Sequence, residues 1–389
     1  MATTARPSTP SIPSPFPSTH RALHVTSYDT PPAVTSLPLP TPSPGTALVR
    51  ILATQIISYS RSVYSSTGRA YPFPLPLTAG YSGIGRIAAC PGDSVALQRG
   101  QLVHVDCVVR ARDDPSAIFL AGVHQGHSQR SAQLMEANWR DGCAAEFAAF
   151  PIENLMPLDE KRLLGKVEEG GLGYDLPRLS YISTLLVPYG GLADVGVRPG
   201  ETVVVAPATG GFGGAAVKVA LAMGARVVAM GRNERELERM EGVFGRERVR
   251  GVRITGDVKG DAEMLKGVWG EPDVFFDISP PAASHSSHFK SALLSLRHAG
   301  RASLMGGQRE DVQVPLRLVM VKDIMLKGKW MYERPAVAQL VKMVEAGVLG
   351  LGEKDGVDVK GTFTLEEWDK AFTVAEETNR PGSVTVITP

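Results

Sequence analysis

The stretch TVVVAPATGGFGGAAVKVALAMGARVVAMGRN, residues 202–233, decides the fold of this chain. It opens with a β-branched run at 202–205, which is typical of a strand buried on both faces. A glycine-rich turn follows at 208–214, then small and aliphatic residues at helical spacing, and Gly224 ends that helix. The apolar run at 226–230 predicts a second strand. Together these pieces predict a βαβ unit of a parallel sheet.

The glycines of this stretch indicate a phosphate-binding turn. Backbone N–H groups at a helix start lack internal partners, and the helix dipole adds partial positive charge there, so a pyrophosphate needs no cationic side chain. The turn matches the dinucleotide fingerprint G-x-G-x-x-G with alanine for the first glycine. Such turns also occur for packing alone, but the flanking strands and helix favour a nucleotide site. The predicted contacts are Ala208, Thr209, Gly210, Gly211, Phe212 and Gly213.

The end of the second strand predicts which cofactor binds. An NAD site usually places Asp or Glu there, whereas this chain has Gly231, Arg232 and Asn233. A carboxylate would repel a 2′-phosphate, while Gly231 leaves room for one and Arg232 can donate a forked pair of hydrogen bonds. Such a contact contributes about 1.5–3 kcal/mol, enough for about tenfold or more in preference. We therefore predict NADPH over NADH, with a solvated Arg232 as the alternative.

Size, charge and cysteine content narrow the class of protein. At 389 residues the chain suits about two domains. Its net charge of +1 indicates neither a nucleic-acid partner nor an acidic membrane surface, and no apolar run approaches a membrane span. Cys90, Cys107 and Cys143 are widely spaced, which argues against a disulfide framework and favours a reducing compartment. We expect a cytoplasmic protein.

The residues before the nucleotide unit predict a disordered extension and then a β-rich module. Residues 1–20 are rich in Ser, Thr and Pro and hold too little apolar surface to offset the entropy of ordering. A mitochondrial transit peptide is the alternative, although the prolines oppose the amphipathic helix it needs. A Pro-rich connection is expected at 31–44. Short apolar runs between turn residues predict a partly open barrel, with strands at 21–26, 47–57, 80–89, 101–105, 141–147 and 152–157.

After residue 233 the alternation of strands and helices continues. Helices are expected at 179–195 before the glycine turn and at 234–241 and 289–296 after it, with strands at 249–255, 273–278, 301–305 and 324–331. Together with the two strands of the opening stretch this gives six, which predicts one doubly wound parallel sheet. Ligands of such sheets bind at the carboxyl ends of the strands. The further cofactor contacts predicted there are Asp277, Ser279, Gly306, Gly307 and Met331.

The last elements have no place in a six-stranded sheet. Helices at 335–346 and 365–377 and a strand at 382–387 are therefore expected to return to the first module. The predicted organisation is a split domain at 21–177 and 333–389 with a nucleotide-binding domain at 178–332 inserted in it.

Several motifs, in order along the chain, resemble those of the medium-chain dehydrogenase/reductase superfamily. They are ACPGD at 89–93 before RGQLV at 99–103, the segment 141–147 followed by NLMPL at 154–158, and RPGSV at 380–384. The resemblance is closest to the zinc-free branches, which are quinone-oxidoreductase-like and enoyl-reductase-like, and to reductases of fungal secondary metabolism. It implies an α/β chain in which a GroES-like β-barrel catalytic domain carries an inserted Rossmann doubly wound parallel sheet. It also implies a small-molecule substrate and a homodimer joined through the nucleotide domains, with edge pairing at 324–331.

The departures from this family concern zinc. Zinc-dependent members carry a Cys and a His-Glu pair as metal ligands, and the matching positions here are Ile57 and, after Gly80, Tyr81 and Ser82. Neither Ile nor Ser offers a normal zinc ligand. The region matching the structural zinc loop, residues 108–139, lacks the four cysteines such a site needs. Both zinc sites are predicted absent.

Without zinc, a hydroxyl donor is the natural group to stabilise negative charge on the acceptor oxygen. Tyr59 matches the position of a proton-relay hydroxyl, Tyr71 follows Gly68 in a G-x-Y-P-like segment of some enoyl reductases, and Tyr81 and Ser82 replace metal ligands. Tyr64 and Tyr189 are outer candidates, and each tyrosine has packing as its alternative role. Four histidines are predicted to take no part, either in polar loops or beside the cofactor or solvent: His124, His127, His285 and His288. We see no Ser-His-Asp arrangement in the sequence.

A conjugated acceptor needs the weakest stabilisation from such a donor, because an enone or quinone delocalises the negative charge that arrives with the hydride. We therefore predict NADPH-dependent reduction of an α,β-unsaturated carbonyl or quinone. The alternative is a carbonyl/alcohol oxidoreductase with Tyr59 or Tyr81 as acid. A third hypothesis is an NADPH-binding protein without turnover, or one that templates a non-redox rearrangement.

Overall fold

The computed structural model describes residues 16–65 and 71–389. Its first part is built from short strands, because alternating and fully apolar runs follow one another between turns. The strands are β1 (Thr19–Val25), β2 (Ala33–Pro38), β3 (Thr46–Gln55), β4 (Leu77–Thr78), β5 (Gly83–Ala89), β6 (Leu102–Val105), β7 (Val108–Arg110), β8 (Ile118–Leu120), β9 (Phe147–Pro151) and β10 (Leu155–Pro157). The helices are α1 (Ser60–Val63), α2 (Gln129–Ala137) and α3 (Glu160–Leu164).

The middle of the chain alternates strands and helices around the glycine turn. Its strands are β11 (Thr202–Ala206), β12 (Arg226–Gly231), β13 (Val249–Arg253), β14 (Val274–Asp277), β15 (Arg301–Leu304) and β16 (Met325–Gly328). Its helices are α4 (Leu176–Ser180), α5 (Ile182–Asp194), α6 (Gly211–Ala222), α7 (Glu234–Phe244), α8 (Val258–Trp269), α9 (His288–Ser295) and α10 (Leu316–Val321). The chain ends with α11 (Arg334–Glu345), β17 (Asp358–Phe363), α12 (Trp368–Glu377) and β18 (Ser383–Ile387).

The six middle strands form one parallel sheet in the order β13-β12-β11-β14-β15-β16, which confirms the predicted doubly wound sheet. The order reverses between β11 and β14, so the carboxyl ends of these two strands border the crevice where such folds bind ligands. Alternate residues of β11 point to opposite faces: Val203 and Val205 join the larger core, while Val204 and Ala206 join a second core under α8 and α9. No helix in the described ranges is long and apolar enough to cross a bilayer.

The last strands return to the first part of the chain, as predicted. β18 pairs antiparallel with β3, with Val386 opposite Gln55, and parallel with β17. The resulting sheet runs β10-β6-β5-β3-β18-β17, and β9 also pairs with β3. This closure matters for the site because it fixes the carboxyl end of β3, from which the chain enters the crevice.

Several elements differ from the sequence prediction. The predicted disordered extension at 1–20 falls mainly on residues 1–15, which lie outside the described residues, but β1 already begins at Thr19 because it pairs with β2. That partner strand lies inside the predicted Pro-rich connection. The predicted helix at 179–195 is two helices that meet at Tyr181. Nine further elements were not predicted: α1, α2, α3, α8, α10, β4, β7, β8 and β17.

Candidate active site

The glycine turn between β11 and α6 forms an open cradle at the crevice. Gly210 caps α6 without a side-chain hydrogen bond, and a Cβ on Gly210 would meet no other atom within 4 Å. A Cβ on Gly213, in contrast, would lie 2.1 Å from the carbonyl oxygen of Pro207, so only glycine permits this approach of helix and turn. The N–H of Gly211 donates to Oδ1 of Asn379 at 3.2 Å, an oxygen of the kind a phosphate also presents. A phosphate oxygen would have to replace this amide oxygen, and the pyrophosphate site stays a prediction.

The carboxyl end of β12 lies beside this cradle. A Cβ on Gly231 would lie 2.6 Å from Cγ2 of Thr209, so any side chain at position 231 would have to displace the side chain of Thr209. Arg232 is exposed, and no carboxylate within the described residues pairs with it. Asn233 caps α7, because its Oδ1 accepts from the N–H of Glu236 at 3.3 Å. These features leave a free guanidinium where a 2′-phosphate is predicted to lie.

A buried polar network occupies the ends of β14 and α9. Ser279 Oγ donates to Asp277 Oδ1 at 2.5 Å and lies 2.7 Å from Nε2 of His288, whose Nδ1 lies 2.7 Å from Ser286 Oγ. The His288 side chain is buried, so it does not border solvent, and a position beside the cofactor stays a prediction. Ser279, His288 and Asp277 meet here although no Ser-His-Asp or Cys-His arrangement is visible in the sequence. Ser279 and Asp277 both face Nε2, however, so this is not the relay of a hydrolase.

This network reaches the predicted cofactor contacts at the end of β15. A Cβ on Gly306 would lie 2.4 Å from Oδ2 of Asp277, so the two strand ends are in close contact. The N–H of Gly307 donates to the carbonyl oxygen of Ser279 at 2.8 Å. Met331 follows β16 with a left-handed backbone, φ 62°, and is partly buried. His285, in contrast, is exposed and lies 3.1 Å from Glu310.

Three predicted hydroxyls lie together where the chain leaves β3. The rings of Tyr59 and Tyr71 stack with centroids 5.6 Å apart. The hydroxyl of Tyr81 lies 3.4 Å from Oε1 of Gln55, which also accepts from Thr184 Oγ1 at 2.9 Å. Removal from water raises the pKa of Tyr59, Tyr71 and Tyr81, and for Tyr59 the neighbouring phenols add to the effect. All three therefore remain neutral hydroxyl donors at physiological pH.

Two other predicted hydroxyls, those of Tyr64 and Ser82, form hydrogen bonds with backbone groups. The hydroxyl of Tyr64 accepts from the N–H of Gly80 at 2.8 Å and donates to the carbonyl of Gly122 at 2.9 Å. Ser82 is buried, and its Oγ accepts from the N–H of Cys107 at 3.2 Å. Burial raises the pKa of Tyr189, the other outer candidate.

Tyr59, Tyr71 and Tyr81 form one wall of the crevice. Two histidines and a tryptophan extend this wall beyond Tyr71. The His124 ring lies edge-on to Tyr71 at 6.0 Å, and Trp330 lies 5.9 Å from His124 and 4.6 Å from His127. Both histidines lie in a loop, as predicted, but His127 is exposed whereas His124 is only 7% exposed. The loop folds inward because the N–H of Gln125 donates to the carbonyl of Pro72 at 2.8 Å. Residues Gly68, Arg69 and Ala70 of the Tyr71 motif lie outside the described residues.

The side chains at the expected zinc positions do not fit the metal. Ile57 offers only hydrocarbon, and the Ser82 hydroxyl already binds a backbone N–H. Burial raises the pKa of Cys107 and Cys143, which keeps both thiols protonated. Across the described ranges no three His, Cys, Asp or Glu side chains cluster as metal ligands do. A zinc-free site stays a prediction for metal analysis.

Sequence reasoning missed four residues of this site: Gln55, Thr184, His124 and Trp330. Gln55 lies two positions before Ile57 at the end of a predicted strand, and this polar residue after an apolar run was an available signal. Thr184 also had a signal, as a hydroxyl within a buried apolar helix. The positions of His124 and Trp330 depend on contacts between distant segments, and no local pattern marks them.

Comparison with known proteins supports the same family. A family model described as zinc-binding dehydrogenase matches residues 211–346. Acryloyl-coenzyme A reductase of Metallosphaera sedula is 29% identical over 203 residues, 51% of this chain and 54% of that protein. Alcohol dehydrogenase of Rhizobium meliloti is 24% identical over 336 residues, 85% of this chain and 89% of that protein. The chain thus spans about half the length of the first curated relatives it matches, and 89% of the length of the Rhizobium meliloti alcohol dehydrogenase.

Solved structures share the fold. A thermostable alcohol dehydrogenase from Pyrobaculum aerophilum superposes with a TM-score of 0.72 at 18% identity, covering 95% of this chain and 100% of that one. A short chain alcohol dehydrogenase from E. coli CFT073, solved with the cofactor NADH, gives 0.76 at 19% identity, covering 96% and 100%. The motifs along the sequence, the split β-module with its inserted parallel sheet and these relatives agree: the chain is similar to members of the medium-chain dehydrogenase/reductase superfamily.

Proposed function

We propose that this protein is a zinc-independent oxidoreductase that uses NADPH to reduce a conjugated carbonyl, either an enone, an enoyl compound or a quinone. The observation that carries the proposal is the set of neutral phenols, Tyr59, Tyr71 and Tyr81, in a crevice whose zinc positions hold no suitable ligands. Relatives named acryloyl-coenzyme A reductase and alcohol dehydrogenase support an oxidoreductase. A fold neighbour solved with NADH supports a nicotinamide cofactor.

Residues of the parallel sheet would hold the cofactor. The N–H groups of the turn at Gly211 and Phe212 would bind the pyrophosphate, and Arg232 would pair with a 2′-phosphate. Asp277 and Met331 would border the ribose and the nicotinamide, together with Ser279, Gly306 and Gly307. When bound, the reduced nicotinamide supplies a hydride from its C4.

The chemistry of the protein side chains favours a conjugated acceptor. Because the pKa values of the three phenols are raised, these groups donate hydrogen bonds but give up a proton reluctantly. Such donors stabilise charge that is spread over a conjugated system more readily than a localised alkoxide. Tyr59, stacked on Tyr71, would support the acceptor oxygen, with Tyr81 held behind it by Gln55.

A carbonyl/alcohol oxidoreductase is the second candidate, and relatives named alcohol dehydrogenase favour it. Tyr59 or Tyr81 would then act as the acid that protonates the alkoxide. The third candidate is a protein that binds NADPH without redox turnover. The three differ in what they do to one pair of compounds, an enone and its saturated ketone.

The deciding experiment follows NADPH absorbance with 2-cyclohexenone, 1,4-naphthoquinone and cyclohexanone as acceptors. Loss of absorbance with the first two but not with cyclohexanone supports the proposal. Turnover of cyclohexanone selects the carbonyl reductase, and binding of NADPH without oxidation by any of the three selects the non-redox protein. Zinc analysis of the purified protein accompanies the assay, since a stoichiometric amount would contradict the zinc-free mechanism.

We also propose a homodimer joined through the parallel sheet. β16 is the edge strand of that sheet, and its backbone is open to pairing. An apolar patch of exposed side chains lies on β16 and the preceding α10, formed by Leu316, Met320, Val321 and Met325. Isolated patches of this kind on a folded surface are typical of interfaces.

A further inference from the structure

His124 is held in one orientation by the backbone around it. The N–H of Leu120 donates to the carbonyl of His124 at 2.8 Å, and the N–H of His124 donates back to the carbonyl of Leu120 at 2.9 Å. The next residue, Gln125, is bonded to the segment that carries Tyr71 through Pro72. The imidazole therefore lies on a loop closed by backbone hydrogen bonds, and a further hydrogen bond joins this loop to the wall that contains Tyr71.

The hydrogen bonding of the ring fixes its tautomer. The N–H of Gly126 donates to Nδ1 of His124 at 2.9 Å, so Nδ1 presents a lone pair. Burial, with a smaller effect from His127, lowers the pKa of His124 to about 4, so the ring is neutral at physiological pH. A neutral imidazole with an unprotonated Nδ1 carries its single proton on Nε2.

The Nε2–H group has no acceptor in the described parts of the chain. The surrounding groups are rings: Tyr71 at 6.0 Å, Trp330 at 5.9 Å and His127 at 4.9 Å between centroids. The titratable or charged side chains facing it are His127 and Tyr71, with Arg309 acting on Tyr71, and no described carboxylate pairs with it. A neutral donor without a partner thus lies in the wall that carries the predicted phenols.

We propose that His124 is a catalytic residue that donates a hydrogen bond from Nε2–H to the carbonyl oxygen of the bound acceptor. This inference rests on the proposed reduction of a conjugated carbonyl. A new C–H bond forms at the β-carbon with the hydride, and the π electrons move to the oxygen as an enolate. His124 stabilises that oxygen and keeps its own proton, and the α-carbon then takes a proton from water. A donor aimed at developing charge stabilises the transition state without any change of its own protonation.

The tautomer is tested first, in the protein without cofactor. Long-range ¹⁵N–¹H correlation spectra of the histidine rings are expected to show His124 as the Nε2–H form from pH 5 to pH 8. Comparison with His124→Gln assigns its signal among the eight histidines of the chain. A ring that titrates near 6.5, the ordinary histidine value, or that carries its proton on Nδ1 overturns the inference. Addition of 2-cyclohexenone should move the Nε2–H resonance, and an unmoved resonance at saturating acceptor also overturns it.

The kinetic test uses three variants. His124→Phe is expected to lower kcat about 10²-fold with NADPH binding unchanged, as for loss of one oxyanion donor. His124→Gln, which keeps an N–H donor, should recover part of the rate. His298→Gln, at an exposed histidine away from the crevice, should stay within about twofold of native. A His124→Phe rate within about threefold of native contradicts the role. If the native protein oxidises NADPH with none of the three acceptors, the proposed function fails. The resonance shift alone then decides whether His124 binds the carbonyl.

Discussion

The hydroxyl of Tyr332 donates a hydrogen bond to Oδ1 of Asp106 at 2.7 Å, and both side chains are buried where the two parts of the chain meet. Burial raises the pKa of Asp106 to about 6, although the hydrogen bonds from Val108 and Tyr332 act in the opposite direction. The folded protein therefore holds this proton more tightly than the unfolded chain does. As pH rises from about 4 to about 6, the folded state loses about 2 kcal/mol of stability through this group.

Asp106→Asn removes this titration and keeps the acceptor for Tyr332. We expect the free energy of unfolding of the variant minus that of the native protein to increase by about 2 kcal/mol between pH 4 and pH 7, because only the native protein loses stability through this group. Urea unfolding at both pH values measures it. A difference between variant and native protein that does not change with pH would contradict the raised pKa.

Arg232 decides the cofactor in our proposal. Arg232→Ala should weaken NADPH binding about tenfold or more and leave NADH binding nearly unchanged, because only NADPH carries the 2′-phosphate. Fluorescence titration with both cofactors measures the two dissociation constants. Arg235→Ala, in the first turn of α7, is the matched control and should leave the ratio near its native value. An unchanged preference in Arg232→Ala rejects the assignment.

Two glycines of the same turn should respond differently to a methyl group. Gly213→Ala is expected to destabilise the fold by about 1–3 kcal/mol, because the new Cβ would lie 2.1 Å from the Pro207 carbonyl. Gly210→Ala should fold normally, since its Cβ meets no other atom within 4 Å, but should weaken NADPH binding about tenfold or more. Thermal unfolding and cofactor titration of the pair separate the effects. Equal loss of stability in both variants would show that Gly210 serves packing rather than phosphate.

The tyrosines should separate into catalytic and structural groups. Tyr59→Phe is expected to lower kcat about 10²-fold with little change in stability. Tyr64→Phe should cost about 1–3 kcal/mol of stability, because it leaves the buried N–H of Gly80 and carbonyl of Gly122 without a partner. The measurements are steady-state kinetics and urea unfolding of both variants. A Tyr59→Phe enzyme with native kcat would assign that ring to packing.

The sequence was sufficient to predict the elements with strong local periodicity. The run at 202–230 specified β11, α6 and β12, and the strand ends at Asp277 and Gly306 followed from the alternation after it. Elements defined by distant partners were missed: β2 lies in a Pro-rich stretch and exists through pairing with β1. The helix α8 was missed although Asp257 caps it, a signal that apolar spacing at 258, 262 and 265 could have strengthened.

The site likewise contains features that local sequence predicts and features that depend on distant segments. Glycine chemistry at Gly210 and Gly213 follows from backbone geometry alone, so the cradle could be predicted. The burial of His124 and the Ser279–His288 contact depend on how separate loops meet, and neither residue type nor spacing encodes that. Polar side chains near sequence turns were therefore assigned to solvent, although tertiary packing had enclosed them.

The apolar patch on α10 and β16 provides the last prediction. Met320 is 69% exposed, and a second copy of the chain pairing along β16 would cover it. Met320→Glu places a charge in that interface, and burying an unpaired charge is unfavourable, so the variant should sediment as a monomer where native protein sediments as a dimer. Val95→Glu, at a fully exposed position in the β-module, is the control and should leave the dimer intact. Native protein that sediments as a monomer at micromolar concentration would contradict the dimer, and a dimeric Met320→Glu protein would place its interface elsewhere.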